Sequence, residues 1–206
     1  MMTFLLIRHA LNDTVGRRVA GWQAGIRLNG EGRGQAERLS SRLAGVPLAA
    51  VYSSPLERAL ETAGAVARAH RLEVRSADEF GEMRFGEWTG RSFRELDEDP
   101  LWRQFNTFRS GTRPPGGETM LEVQARMLAG LERLCERHPD ETVAVVSHGD
   151  PIKSVIAHFA GMPLDFFLRL EVSPASVSVV SVGMYGPQIL LVNDTGELPE
   201  LKSKGV

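Results

Sequence analysis

Two short apolar runs far apart in the chain, Leu5-Leu6-Ile7 and Ala144-Val145-Val146, each lead into a histidine, the first through Arg8-His9-Ala10 and the second through Ser147-His148-Gly149. Runs this short and this rich in branched residues read as strands buried on both faces of a parallel sheet. In such sheets ligands bind beyond the carboxyl ends of the strands. A fold of this kind therefore delivers both histidines, and the arginine beside the first, to one edge. A single strand-end histidine is ordinarily a partly exposed residue that satisfies a backbone carbonyl; two at equivalent positions point to a site. A third segment adds to it, because Val51-Tyr52 reads as a strand running into a helix with Ser54 as N-cap and Pro55 at the first helical position. Arg58 then lies near the positive end of that helix, where anions are favoured. Three strand ends converge on one anion-shaped pocket.

The remainder alternates strands and helices. Strands are expected at 3–8, 49–52, 73–76 and 142–147, and helices at 30–43, 55–70 and 119–137, the last opened by a Thr119/Glu122 capping box. Asp150 is the expected cap of a further helix opened by Pro151, and strands at 176–182 and 188–192 flank a turn at 183–187. The alternation predicts an α/β fold: a doubly wound, mostly parallel sheet sandwiched by helices, with a small aromatic-rich insert over the strand ends. At 206 residues one domain over 1–206 is expected, with the insert at 80–117. That insert holds seven of the fourteen aromatics, Phe80, Phe85, Trp88, Phe93, Trp102, Phe105 and Phe108. It reads both as a local mini-core and as a lid that excludes water. Its charges are mixed, Arg84, Arg91, Arg94, Arg103, Arg109 and Arg113 against Glu87, Glu95, Asp97, Glu98 and Asp99, and a solvated surface is expected for most of them.

A net charge of −2 gives no basic excess for nucleic acid or an anionic membrane. Cys135 is the only cysteine, so no disulfide forms within the chain, and its place beside Leu131 and Leu134 suggests core filling. A cytoplasmic location is the simplest expectation. The apolar stretch at 4–7 is too short for a signal peptide or a membrane span.

The pattern resembles the histidine phosphatase superfamily, which includes phosphoglycerate mutases and related phosphatases. Arg8-His9-Ala10 resembles its Arg-His-Gly signature, and Gly21-Trp22 with Leu28 and Gly32 resembles the loop and helix start that follow. Ser53 to Ala63, SSPLERALETA, is similar to the second arginine motif, and GEMRFGEWTG to the segment carrying the acid. Pro115-Gly116-Gly117-Glu118-Thr119 and Ser147-His148-Gly149 resemble the last two. Two departures stand out. Ala10 replaces the usual glycine, for which a tolerable backbone conformation is expected, and Leu11-Asn12 with Val15 replaces the usual sugar-phosphate contacts.

The resemblance implies a metal-independent phosphomonoesterase that needs no cofactor and acts on a small phosphorylated metabolite, as a monomer or a homodimer. It implies His9 as nucleophile, its other ring nitrogen held by a backbone carbonyl. Arg8, Arg58 and His148, the last as imidazolium, would bind the phosphoryl oxygens, with Gly21 and Trp22 also at the substrate. Adjacent strand residues point to opposite faces, so Arg8 and His9 share a pocket only if the chain bends after the strand. Glu82 would protonate the leaving oxygen and then activate water, with Glu87 as rival. Glu118 and Thr119 read as a helix start, with a supporting role for the pocket open. Mutases of this kind are usually longer, with a larger insert, which favours a phosphatase. The competing classes are a phosphoglycerate mutase-type transferase, a non-catalytic phospholigand-binding module, and a metallohydrolase using His9, His148, Asp150 and Glu82. Ligand pairs at helical spacing, such as His-Glu-x-x-His, do not occur.

Overall fold

The computed structural model describes residues 1–196. The domain expected over 1–206 runs past them, and 197–206 lie outside the described residues. The chain runs β1 (Met2–Arg8), α1 (Gly30–Leu43), β2 (Leu48–Ser53), α2 (Glu57–His70), β3 (Val74–Ser76), α3 (Phe93–Asp97), α4 (Pro100–Thr107), α5 (Met120–Arg137), β4 (Thr142–Ser147), α6 (Gly149–Phe159), β5 (Val177–Gly183) and β6 (Gly186–Asp194). The strands form one sheet in the order β3-β2-β4-β1-β5-β6. β3, β2, β4 and β1 are parallel neighbours, while β5 runs antiparallel to both β1 and β6.

Strand alternation sorts the core into two layers. Phe4, Leu6, Val143 and Val145 face α5, α6 and the insert, packing with Met127, Leu131, Ile152 and Val155. Leu5, Ile7, Ala144 and Val146 face α1 and α2, packing with Leu39, Ala59, Ala63 and Val66. With both faces covered, β1 and β4 have no polar alternation to show, which is why they read as continuous apolar runs.

The aromatic insert is not a separate mini-core. Phe85, Trp88, Trp102 and Phe105 belong to the same buried cluster as Phe4 and Leu6, and Trp88 meets Trp102 and Phe105 edge-on with centroids 5.2 and 5.3 Å apart. Side chains of this size each contribute about 1.5–3 kcal/mol on burial, so they extend the main core rather than close on themselves. Phe108 alone of the seven is exposed.

Three local expectations shift. Helix α2 starts at Glu57 with Leu56 at the cap position, so neither Ser54 nor Pro55 is in it. Asp150 is not a cap but the second residue of α6, with His148 at the cap position. The C-terminal turn is tighter than 183–187, with only Met184 and Tyr185 between β5 and β6. The Thr119/Glu122 capping box forms with both of its bonds.

Candidate active site

Sheet register assembles the site. Because Arg8 pairs with Ser147 and Ser53 with Val146, β1, β4 and β2 end level with one another. The ladder continues one residue further on each side, His9 N–H donating to Ser147 O and Ser54 N–H to Val146 O, both at 2.9 Å. His9, Ser54 and His148 are thus brought side by side. The chain bends after β1 because Ala10 N–H turns to Thr62 Oγ1 on α2, at 3.0 Å. Ala10 has no positive φ, so the side chain it carries in place of glycine is unstrained. The bend lets Arg8 and His9 line one cavity of about 300 Å³ together with Asn12, Gly21, Arg58 and Glu82.

His9 Nδ1 lies 2.8 Å from Ala10 O. A carbonyl only accepts, so Nδ1 carries the proton and Nε2 keeps its lone pair. Burial, then Arg58 and Arg8, push the His9 pKa well below the usual histidine range, so the ring is neutral. His148 stands behind, wholly buried and outside the cavity wall. Its ring meets that of His9 edge-on at 5.1 Å, its Nε2 is 2.8 Å from Ser54 Oγ, and its Nδ1 is 3.8 Å from Glu82 Oε2. The same burial, with Arg58, His9 and Arg8 around it, lowers its pKa well below the ordinary value. Without an anion beside it these surroundings favour the neutral ring, so the imidazolium expected at His148 is a form that a bound phosphoryl group would have to stabilise.

Arg8 is anchored through Nη1 on Val172 O at 2.6 Å, and Arg58, fully buried, through Nη2 on Gly21 O at 2.8 Å. Gly21 holds that carbonyl in place at φ +50, a conformation that favours glycine. The other edges of these groups are unused. Arg8 Nε, Arg58 Nη1, His148 Nδ1 and Asn12 Nδ2 are buried without a hydrogen-bond partner among the described residues. Each such donor costs roughly 1–3 kcal/mol, and three of them, on Arg8, Arg58 and Asn12, belong to residues that line the cavity, which suits a ligand rich in acceptor oxygens.

Glu82 faces these cations, its side chain 15% exposed. Burial, followed by the charge of Asp150, raises its pKa to about 7 against the pull of Arg58 and Arg8. It can therefore hold or release a proton near neutrality. Glu87, the rival, is exposed and outside the cavity wall. Trp22 is not in the cavity wall either; its indole N–H donates to Glu82 O from behind, and the Arg84 guanidinium lies 3.8 Å from its ring centre.

Residues 4–195 match the histidine phosphatase superfamily (branch 1). The chain belongs to that superfamily. It is 36% identical over 200 residues to a bifunctional protein of Mycobacterium tuberculosis, covering 94% of this chain and 54% of the other, so it spans about half the length of the first curated relatives it matches. It is 32% identical to phosphoserine phosphatase 1 of Hydrogenobacter thermophilus, over 97% of this chain and 96% of that one. Among solved structures, YhfR of Bacillus stearothermophilus superposes with a TM-score of 0.87 at 32% identity, covering 93% of this chain and 96% of that one. The α/β architecture with its mostly parallel sheet is the fold of this superfamily.

Several residues of the site were not singled out as such in the sequence. Ser54, expected as a cap, is the partner of His148. Arg109 lies in the insert and was grouped with solvated charges, yet it is buried between the rings of Phe105 and Phe167, at 4.0 and 4.9 Å, and lines the cavity. It donates to Asp150 Oδ2 at 2.8 Å and to Asn106 Oδ1 at 2.7 Å. Helical spacing gives no signal for this contact, because α4 ends at Thr107 and the chain turns at Phe108; only the aromatic density around Arg109 hints at a stacked guanidinium. Asn12 has its Oδ1 taken by Thr14 and turns its amide to the cavity. Among the described residues no three His, Cys, Asp or Glu side chains gather so as to hold a metal ion, and no helix is long and apolar enough to cross a membrane.

Proposed function

We propose that this chain is a metal-independent phosphomonoesterase that works through a phosphohistidine on a small phosphate ester. The observation that carries it is the neutral His9, with Nδ1–H fixed on Ala10 O, among buried guanidinium donors that have no protein partner. Phosphoryl transfer asks of a protein chiefly positioning and donors for three equatorial oxygens. His9 Nε2 attacks phosphorus as the ester P–O bond breaks, and Glu82 gives its proton to the departing oxygen. Arg8 and Arg58 take the phosphoryl oxygens. Water then attacks the phosphohistidine, Glu82 takes the water's proton, and the P–N bond breaks to release phosphate and neutral His9. His148 lies behind His9 with Nδ1 3.8 Å from Glu82 Oε2, and a dianion bound at His9 would favour its protonation.

Hydrolysis rather than a mutase-type transfer is supported by the Hydrogenobacter relative, a phosphoserine phosphatase by name, which this chain matches nearly end to end. A rapid-quench experiment with labelled substrate tests the reading. It should trap acid-labile, base-stable phosphate at His9, and turnover should survive chelators. Label on Ser53, Ser147 or Cys135, turnover with no covalent species, or loss on chelation restored by a divalent ion would sink it. Phosphate passed to an added alcohol or second metabolite in preference to water would indicate the mutase.

A further inference from the structure

Glu82 sits on a stretch that no helix or strand holds. Between the short 3-10 turns Asp78–Phe80 and Gly86–Trp88 the backbone is irregular, so its carbonyls depend on donors from elsewhere. Two of them, and the carbonyl of Glu79 in the preceding turn, go to one guanidinium. Arg126, in the second turn of α5, gives Nη1 to Glu79 O at 2.7 Å and to Gly81 O at 2.8 Å, and Nη2 to Glu82 O at 2.9 Å. The rest of its donor edge is engaged by Glu118, with Nη2 on Oε1 at 2.8 Å and Nε on Oε2 at 3.2 Å. Glu118 is in turn stitched to the acid's own segment, accepting from Arg84 N–H at 2.8 Å and donating its N–H to Arg84 O at 2.9 Å. The two side chains are only 22% and 14% exposed. Neither lines the cavity.

A planar guanidinium can serve three carbonyls and a carboxylate at once because its five donors are fixed in one fork. An ammonium has three donors at a point and cannot. We propose that Arg126, held by Glu118, is the positioning residue for Glu82: it fixes the backbone from which the carboxyl reaches toward His148 and the cavity, without touching substrate. The proposal rests on Glu82 as the acid. Misplacing a reacting group by about 1 Å is enough to cost on the order of a hundredfold in rate.

The test compares an alkyl phosphate with p-nitrophenyl phosphate, whose leaving group departs without a proton, using kcat/KM because it reports only steps up to phosphorylation of His9. Arg126→Met should lower the alkyl value about a hundredfold and the aryl value by no more than about threefold, so the dependence on leaving-group pKa steepens. The loss should lie in kcat, with KM little changed. Arg126→Lys should restore little, because charge without the fork does not hold three carbonyls. If Arg126→Met does not fold by circular dichroism, Glu118→Gln, which keeps the guanidinium but loosens it, should show the same selectivity at about a tenth of the size. Equal losses on both esters, or none in a folded variant, overturn the proposal. Glu82→Gln run alongside separates the two readings: selectivity there without selectivity in the Arg126 and Glu118 variants removes only the positioning role, whereas no selectivity in Glu82→Gln removes the acid assignment.

Discussion

The two halves of the cavity are held by different physics. The strand-end half, Arg8 and His9 with His148 behind them, is placed by backbone ladders that align β1, β4 and β2 within one residue, and Arg58 stands on α2 shortly after β2 ends. The insert half, carrying Glu82 and Arg109, rests on side chains reaching to carbonyls and to each other, from Trp22, Arg126 and Asp150. Ladders are repeated and cooperative, so removing one side chain leaves the rest aligned. A point-held segment has fewer ties, and each matters more to the group it carries. Under the proposed function the halves would also divide the chemistry: one would bind the phosphoryl group, which every phosphate ester has, and the other would meet the leaving group, which differs between esters.

The largest effect that would test this division is on the strand-end half. Arg58→Ala should lower kcat/KM by roughly two to four orders of magnitude, the usual loss for a preorganised charge at a developing oxyanion. Because the lost contact is to the phosphoryl group, alkyl and aryl esters should suffer alike. The fold should survive, although Arg58 is buried, since its Cα is held by α2 and not by the guanidinium. A variant within about threefold of wild type on both esters would take Arg58 out of the site.

The insert half should behave differently. Glu82→Gln is expected to lower kcat/KM on an alkyl phosphate by roughly a hundredfold or more while sparing the phosphorylation step on p-nitrophenyl phosphate. Phosphoenzyme should then accumulate, because the same carboxylate serves as base. Glu87→Gln, at an exposed side chain outside the cavity, should change neither. If the two variants exchanged behaviour, the acid would lie five residues further along GEMRFGEWTG and the comparison would need a different insert half.

The same contrast explains what could be read from the sequence. His9, His148 and Arg58 were legible because apolar runs announce strands, strand ends in a parallel sheet share an edge, and the sequence carries the residue types in plain order. The acid segment was legible only by resemblance. Nothing in periodicity says that Arg126, in the second turn of a helix with an ordinary capping box, holds the carbonyls of Glu79, Gly81 and Glu82, since that contact spans more than forty residues and involves no repeated pattern. Ser54 shows the opposite failure. Its position before Pro55 fits an N-cap, but Val146 O takes its N–H, His148 takes its hydroxyl, and the helix starts later. Its Oγ still accepts the Leu56 N–H at 3.3 Å, so the local turn is kept while the same hydroxyl serves a tertiary partner. Arg109 was misread for a similar reason: composition places arginines at the surface, and only the packed rings of Phe105 and Phe167 make a buried site for this one.

The smallest expected effect lies where the halves meet, at the pair formed by Arg109 of the insert and Asp150 of α6, 2.8 Å apart. Asp150 is the first charge, after burial itself, that raises the Glu82 pKa to about 7. As general acid Glu82 must be protonated, so kcat/KM on an alkyl phosphate should fall as pH rises through that value. Asp150→Asn removes a negative charge near Glu82 and leaves Arg109 without its counter-charge; both changes favour the ionised carboxylate. The alkaline limb should therefore move to lower pH, with activity at acid pH changed much less than activity at pH 8. With p-nitrophenyl phosphate, which needs no proton, the limb assigned to Glu82 should be absent in wild type and variant alike. A limb that stays in place on the alkyl ester would mean that Asp150 acts on the fold or on substrate and not on the acid. A shift to higher pH would mean that the freed Arg109 has moved away from Glu82, and that the two halves are joined by the position of that arginine more than by its charge.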